Sequence, residues 1–131
     1  MLRMYHPEGE KPPRLTALVF VFGSNLEGHH SGGAARIARD EFQAERGVGQ
    51  GRTNMAYAIP VIARGETIAL PDIKQSVRQF IAYADANPTL TFYVVRVGCG
   101  VAGYADSQVA PLFAGAGVNC IFSEKWKLWL D

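Results

Sequence analysis

Glycines and small polar residues that can hold an anion are concentrated in two stretches of the chain. The first stretch, residues 23–33, reads GSNLEGHHSGG, and we call it the first glycine loop. Glycine lets a ligand approach the backbone N–H groups closely, and a helix that begins at Ala34 would point its positive end at the same place. This stretch predicts an anion site, most simply for a phosphate. The alternative, that the glycines serve only tight packing, stays open.

The second stretch, residues 98–104, reads GCGVAGY, and we call it the second glycine loop. Each loop follows an apolar run with the composition of a buried strand, and in open α/β sheets ligands bind beyond the carboxyl ends of the strands. If the two strands are neighbours, the two loops can clasp one ligand. A diphosphate suits them, because rows of backbone N–H groups satisfy its oxygens without a basic protein. Neither loop matches a P-loop, and no G-x-G-x-x-G directly follows the first strand.

Few side chains in these loops can do chemistry. The candidates for catalysis are Asn25, His29 and His30. A histidine beside a diphosphate can act as a general acid or base at neutral pH, although a polar loop residue without a chemical role is an equal alternative. Cys99 is a weaker candidate, a nucleophile if the loop lowers its pKa. Asp106 is predicted to cap a short helix, and Tyr104 either covers the ligand or closes a core edge.

Composition narrows the classes of function. The chain of 131 residues is 48% hydrophobic, which suits one core, and its net charge of +1 gives no support for binding long nucleic acid. No apolar stretch has the length of a membrane span or the pattern of a secretion signal, so we expect a cytoplasmic protein. Two cysteines do not indicate a disulfide framework, and the adjacent histidines do not form a metal site. No cofactor is predicted.

Strands and helices alternate along the chain, which predicts a three-layer α/β sandwich with a mixed, mostly parallel sheet. An irregular arm at residues 1–15 precedes a single domain at residues 16–131. Predicted strands lie at residues 16–22, 55–59, 90–97 and 118–122, with Pro60 closing the second, and predicted helices lie at residues 34–42, 70–87 and 106–113. Residues 47–54 are expected to lack regular structure, residues 61–70 to form a hairpin or a loop, and residues 125–130 an edge strand or a docked helical turn.

The two glycine loops resemble segments of a known family. Residues 25–35, NLEGHHSGGAA, resemble the segment by which macrodomains enter their first ligand-binding helix. Residues 94–104, VVRVGCGVAGY, followed by VAPLF at residues 109–113, are similar to the second phosphate-binding loop and its helix. The likeness is greatest to the branch of terminal ADP-ribose glycohydrolases, and Ser24-Asn25 with Gly32-Gly33 also resembles phage and bacterial macro-like proteins. The resemblance runs from Val19 to Phe122.

The resemblance implies a macrodomain-like fold and a small ligand of the ADP-ribose type, free or attached to a protein. In the first loop it assigns the binding residues Gly23, Ser24, Asn25, Ser31, Gly32, Gly33 and Ala34. In the second loop it assigns Gly98, Cys99, Gly100, Val101, Ala102, Gly103 and Tyr104, the first five of which would supply N–H groups. The adenine would lie near Phe22, Gly23 or the C-terminal strand.

The chain departs from the family pattern at positions that matter for chemistry. No aspartate lies between Ala17 and Asn25 to hold adenine, and Ala102 stands where the glycohydrolase branch has an aspartate. That branch uses a lysine after the middle strand, whereas this chain has Arg64, which is too basic to act as an amine nucleophile. We therefore expect binding of ADP-ribose or a related nucleotide diphosphate. The alternatives are a hydrolase of ADP-ribosyl or ADP-ribose-phosphate groups, and a protein-interaction domain that uses exposed Trp126 and Trp129.

Overall fold

The computed structural model describes residues 3–131, and Met1 and Leu2 of the predicted arm lie outside the described residues. These residues form a seven-stranded sheet with the order β1-β7-β6-β2-β4-β3, and β5 also pairs with β4. The strands are β1 (Tyr5–His6), β2 (Leu18–Asn25), β3 (Gly51–Thr53), β4 (Ala56–Ala63), β5 (Glu66–Thr67), β6 (Thr91–Val94) and β7 (Cys120–Ser123). The pairs β1-β7, β7-β6, β6-β2 and β2-β4 are parallel, while β3 and β5 run antiparallel to β4.

Helices cover both faces of this sheet. The α-helices are α1 (Gly33–Phe42), α2 (Leu70–Asp85), α3 (Asp106–Val109) and α4 (Lys127–Leu130), and two 3₁₀ helices span Ala110–Phe113 and Glu124–Trp126. Helix α1 packs on one face, and α2 together with the C-terminal helical turns packs on the other. The predicted α/β class with a mixed, mostly parallel sheet is therefore confirmed.

The central strand β2 shows why a run of apolar residues without polar alternation builds this fold. Val19 and Val21 pack into the core on the α2 face, whereas Phe20 and Phe22 pack into the core on the α1 face. Side chains alternate between the faces of a strand, so a strand covered on both sides is apolar at every position. Phe20 stacks on Phe42 of α1 with the ring centroids 4.9 Å apart, which fixes the helix over the sheet.

The sheet is larger than the sequence indicated. Strand β2 continues through residues 23–25 of the first glycine loop, and residues 51–53 form a strand where no regular structure was expected. Pro60 does not close β4, which runs on to Ala63. Pro60 lies opposite Ser24, beside the register shift between Ser24 and Asn25, so its missing N–H falls where the ladder is already irregular. The hairpin alternative for residues 61–70 is confirmed by the pairing of β4 with β5.

The two ends of the described chain pack against the same edge of the sheet. Tyr5 and His6, in the predicted irregular arm, pair in parallel with β7. The C-terminal stretch forms helical turns rather than an edge strand. Trp126 is 0% exposed and packs on Phe113 and Phe122, so the prediction that it is exposed for a protein contact is wrong. Within residues 3–131, no helix is both long enough and apolar enough to cross a membrane.

Candidate functional site

The two glycine loops meet because the strands before them are neighbours. Strands β2 and β6 pair in parallel from Leu18 opposite Thr91 to Val21 opposite Val94, so both loops leave the same edge of the sheet. A β-carbon on Gly23 would lie 3.4 Å from the backbone nitrogen of Gly98. Between the loops lies a cleft of about 450 Å³. The predicted site residues that line it are Gly23, Ser24, Asn25, Ser31, Gly32, Gly33, Ala34, Gly98, Gly100, Val101 and Ala102.

The first wall of the cleft carries the N-terminus of α1. Gly32 occupies the cap position, and among the described residues no side chain caps this end of the helix. The first N–H that bonds back to the cap is that of Arg36, which donates to the Gly32 carbonyl at 3.3 Å. The N–H groups of residues 33–35 precede it and remain available to a ligand. A β-carbon on Gly32 or Gly33 would have no neighbour within 4 Å, so the approach to these N–H groups is open.

The second wall is shaped by hydrogen bonds within the second glycine loop. The Cys99 N–H donates to the Arg96 carbonyl at 3.1 Å. The Gly103 N–H donates to the Gly100 carbonyl, and the Tyr104 N–H donates to the Gly98 carbonyl, both at 3.0 Å. Cys99 therefore does not offer its N–H to the cleft as the resemblance implied. In the described part of the chain, the N–H groups at positions 100–102 have no partner, and the Val101 side chain at the tip is 98% exposed.

Three predicted binding residues of the second loop, Cys99, Gly103 and Tyr104, are absent from the cleft lining. The Tyr104 hydroxyl donates to the Ile68 carbonyl at 2.7 Å. Tyr104 also packs against the core on the α2 face. Of the two alternatives for Tyr104, the structure favours closing a core edge.

A segment that the sequence gave no reason to single out supports the first glycine loop. We call residues 45–51 the support segment. A β-carbon on Gly49 would lie 2.2 Å from the Leu26 carbonyl oxygen, and one on Gly28 would lie 2.4 Å from the Val48 nitrogen. The Ser24 hydroxyl donates to the Gly49 carbonyl. Backbone contacts this close require glycine, so Gly49 of the support segment and Gly28 of the first loop allow the two segments to pack directly on each other.

The structure separates the three catalytic candidates. His30 is 0% exposed, and its Nε2 contacts the Glu45 and Val48 carbonyls at 3.1 and 3.0 Å, so it joins the first loop to the support segment. Carbonyls only accept, and this nitrogen therefore carries the proton. His29 is exposed and lies outside the cleft lining, while its backbone N–H donates to Asn25 Oδ1 at 2.8 Å. Asn25 is the candidate that lines the cleft.

Arg96, which was not among the predicted site residues, lies at the edge of the cleft. Its Nε and Nη2 donate to the two carboxylate oxygens of Asp106 at 2.8 and 2.7 Å, and its Nη1 donates to Glu8 at 3.1 Å. Trp126 Nε1 also donates to Asp106, at 2.7 Å. Arg96 and then Trp126 lower the pKa of Asp106 to about 2, so this carboxyl is ionised at neutral pH. The predicted cap role of Asp106 is wrong, because Ala105 occupies the cap position.

Cys99 does not have the environment of a nucleophile. Burial, followed by the nearby Asp106 carboxylate, raises the pKa of its thiol to about 12, whereas the sequence suggested a lowered value. The thiol therefore stays protonated at neutral pH. Within residues 3–131, no group of three His, Cys, Asp or Glu side chains is placed to hold a metal ion.

A second cavity, of about 680 Å³, adjoins the cleft. The two spaces share the wall residues Gly33, Ala34, Val95, Arg96 and Gly100. Its other walls come from Tyr93 on β6, Ile37 on α1 and residues 6–12 of the N-terminal arm. Phe22, which the sequence offered as a neighbour of adenine, is 0% exposed in the core and lines neither space.

Comparison with solved structures gives a likeness in fold. No family model matches the chain, and no curated protein matches it. Among solved structures, the chain is similar to a structure of a macrodomain protein from Streptomyces coelicolor, with 16% sequence identity and a TM-score of 0.47. The likeness covers 87% of this chain and 93% of that one. It concerns the arrangement of strands and helices, and it gives no residue of the cleft a role.

Proposed function

We propose that the cleft binds ADP-ribose or a related nucleotide diphosphate. The observation that carries the proposal is that two rows of backbone N–H groups without protein partners, both in the described part of the chain, lie on opposite walls of one cleft of about 450 Å³. One row is the N-terminus of α1, and the other is the tip of the second glycine loop at positions 100–102. Opposed rows of N–H groups suit a group with oxygens on both sides, which is the form of a diphosphate.

The space beside the cleft suits the rest of such a ligand. The adjoining cavity of about 680 Å³ shares wall residues with the cleft, and Phe20, Ile37 and Tyr93 give it apolar walls. Ligand pockets typically measure about 300–1,000 Å³ and carry a few polar groups on apolar walls. A nucleoside fits this description, with its diphosphate lying between the loops. The sequence resemblance of both loops to macrodomain segments points to the same class of ligand.

Binding is favoured over hydrolysis by the side chains at hand. Among the residues that line the cleft, all within the described part of the chain, Arg96 is the one with a titratable side chain. Arg96 stays protonated, because its hydrogen bond to Asp106 raises its pKa further. Asn25 can orient a ribose or a water molecule, but it cannot take up a proton at neutral pH. The cleft therefore lacks a side chain suited to general acid or base catalysis.

Calorimetric titration with ADP-ribose tests the proposal, with ADP and AMP as the comparison ligands and chromatography of the mixture afterwards. We expect saturable binding of ADP-ribose, weaker binding of ADP, the weakest binding of AMP, and unchanged ADP-ribose on the chromatogram. A product peak would establish hydrolysis and replace the binding role. Absence of heat with all three ligands would overturn the proposal.

A further inference from the structure

Arg96 links the cleft to the N-terminal arm. It follows β6, lines both the cleft and the adjoining cavity, and has 31% of its side-chain surface exposed. Its guanidinium makes two hydrogen bonds to Asp106 and one to Glu8. Glu8 belongs to the segment of the arm that forms one wall of the adjoining cavity. One cation is therefore shared between the binding site and the arm.

The charges of this cluster are unbalanced for an anion site. One guanidinium is matched against the carboxylates of Glu8 and Asp106, so the cluster carries a net charge of −1. The adjoining cavity adds the Glu10 carboxylate, and its Lys11 is already paired with Glu41 at 2.8 Å. An entering diphosphate meets repulsion while both carboxylates stay in place. Removing the Glu8 carboxylate would leave Arg96 and Asp106 as a neutral pair and would free the Nη1 group of Arg96.

We propose that Arg96 is a ligand-binding residue whose Nη1 group is shared between Glu8 and an anionic oxygen of the ligand, so that binding displaces Glu8. This inference rests on the proposed function. In the free protein Glu8 occupies the donor, and in the complex the ligand oxygen takes its place. The arm then competes with the ligand for the same guanidinium.

Glu8, rather than Asp106, is the partner that leaves. Asp106 is bound by two N–H groups of Arg96 in the bidentate arrangement and by Trp126 Nε1, and the Trp126 side chain is fully buried. Glu8 receives a single N–H of Arg96 at 3.1 Å, together with the Ser123 hydroxyl at 2.8 Å. It lies beyond β1, in a turn outside the helices and strands. Fewer and weaker bonds hold Glu8, so it is the partner that an anion can displace.

The test is the affinity for ADP-ribose of Glu8→Gln, with Glu124→Gln as the matched control. Glu124 accepts the Glu8 backbone N–H at 3.5 Å but does not contact Arg96 in the described structure, so the control makes the same change of charge beside the same arm. We expect Glu8→Gln to bind about fivefold more tightly than the wild type, as the loss of a partly exposed ion pair of about 1 kcal/mol implies. Glu124→Gln should stay within about twofold of the wild type.

The outcomes separate this inference from the proposed function. Wild-type protein that binds no ADP-ribose contradicts the proposed function. Wild-type binding with equal or weaker binding by Glu8→Gln overturns the displacement of Glu8 and leaves the proposed function standing. An equal gain in both variants would show that the site responds to overall charge, and it would likewise overturn the shared guanidinium.

Backbone amide resonances of residues 8–11 give a second readout that does not depend on a variant. We expect saturating ADP-ribose to move these resonances toward the values of an unstructured chain, with the same concentration dependence as the calorimetric binding. Resonances that stay in place, or that show a more ordered arm in the complex, would contradict the displacement.

Discussion

The two glycine loops form opposite walls of one cleft but are held in different ways. The first loop is pinned from outside by the support segment, through backbone contacts at Gly28 and Gly49 and through the buried His30. The second loop is held by its own turns and by two hydrogen bonds to residues 67–68, with its base next to the Arg96–Asp106 pair and its tip in solvent. One wall is thus packed backbone against backbone on a second segment, and the other is a turn with an exposed tip beside an ion pair.

This difference bears on how the site works. A wall packed on a second segment resists local opening, whereas a turn with a solvent-exposed tip belongs to the less stable parts of a fold. We expect the first loop to set the position of the ligand and the second loop to adjust to it. Four substitutions test this division, from the largest expected effect to the smallest.

Gly49→Ala removes the external support of the first loop. The new methyl group would lie 2.2 Å from the Leu26 carbonyl oxygen and 2.4 Å from that of Asn25, so the backbone must move. We expect the free energy of unfolding to fall by about 3 kcal/mol, measured by chemical denaturation, and ADP-ribose binding to be lost. Gly100→Ala is the matched control in the second loop, where a β-carbon would have no neighbour within 4 Å. Equal stability of the two variants would remove the distinction between the loops.

Gly32→Leu places a side chain over the backbone N–H groups at the N-terminus of α1 without straining the backbone. Gly32 has a φ of −152°, which any residue adopts, and a side chain there has open space, whereas Gly33 has a φ of +57°. We expect at least about a hundredfold loss of affinity for ADP-ribose, or about 2.7 kcal/mol, with the free energy of unfolding unchanged. Gly115→Leu, at another open glycine outside the cleft lining, should bind normally. If Gly32→Leu binds as the wild type does, the first loop is not part of the site.

Asp106→Asn tests whether the Arg96–Asp106 ion pair supports the second loop. The pKa of Asp106 is lowered from its ordinary 3.8 to about 2 by Arg96, so its stabilising contribution is complete above about pH 4 and is lost as the pH falls through about 2. We expect the variant to be about 1.5 kcal/mol less stable at pH 7, with the difference from the wild type shrinking below about pH 4. Chemical denaturation at several pH values measures this difference. If the difference in the free energy of unfolding stayed constant down to pH 2, the ionised carboxylate would not be what holds the loop.

Val101→Ser changes the tip of the second loop, and we expect the smallest effect. The side chain is 98% exposed, so the free energy of unfolding should change by less than about 0.5 kcal/mol. Affinity for ADP-ribose should also stay the same, because the backbone N–H, and not the side chain, is assigned to the ligand. A clear loss of affinity in the same titration would mean that the valine side chain covers the ligand.

Short sequence patterns predicted individual strands and helices of the fold. The apolar run of β2 and the spacing of Ile73, Val77 and Phe80 on α2 indicated a strand and a helix, and both are present. The two loops were predicted to meet if their strands were neighbours, and the pairing of β2 with β6 meets that condition. These features depend on residues close together in the sequence or on topology common to the fold class.

The missed features depend on contacts between distant residues. The role of Gly49 arises from its approach to the backbone of residues 25–26. The docked helical turn was one of the two alternatives for residues 125–130, but the burial of Trp126 depends on its packing against Phe113 and Phe122. Arg96 did leave a signal. It is a charged residue at the end of the apolar run LTFYVVRV, where a buried or half-buried cation needs a partner. Its partners, at positions 8 and 106, could not be read from the sequence.

The most direct test of the central claim, that two glycine loops clasp one ligand, is an amide chemical-shift titration of labelled protein with ADP-ribose. We predict that the amide resonances of residues 33–35 and of residues 100–102 shift together and saturate with one common dissociation constant. The resonances of the support segment should move little, because that segment is packed behind the first loop. Shifts confined to one loop, or two loops that saturate at different concentrations, would contradict the account.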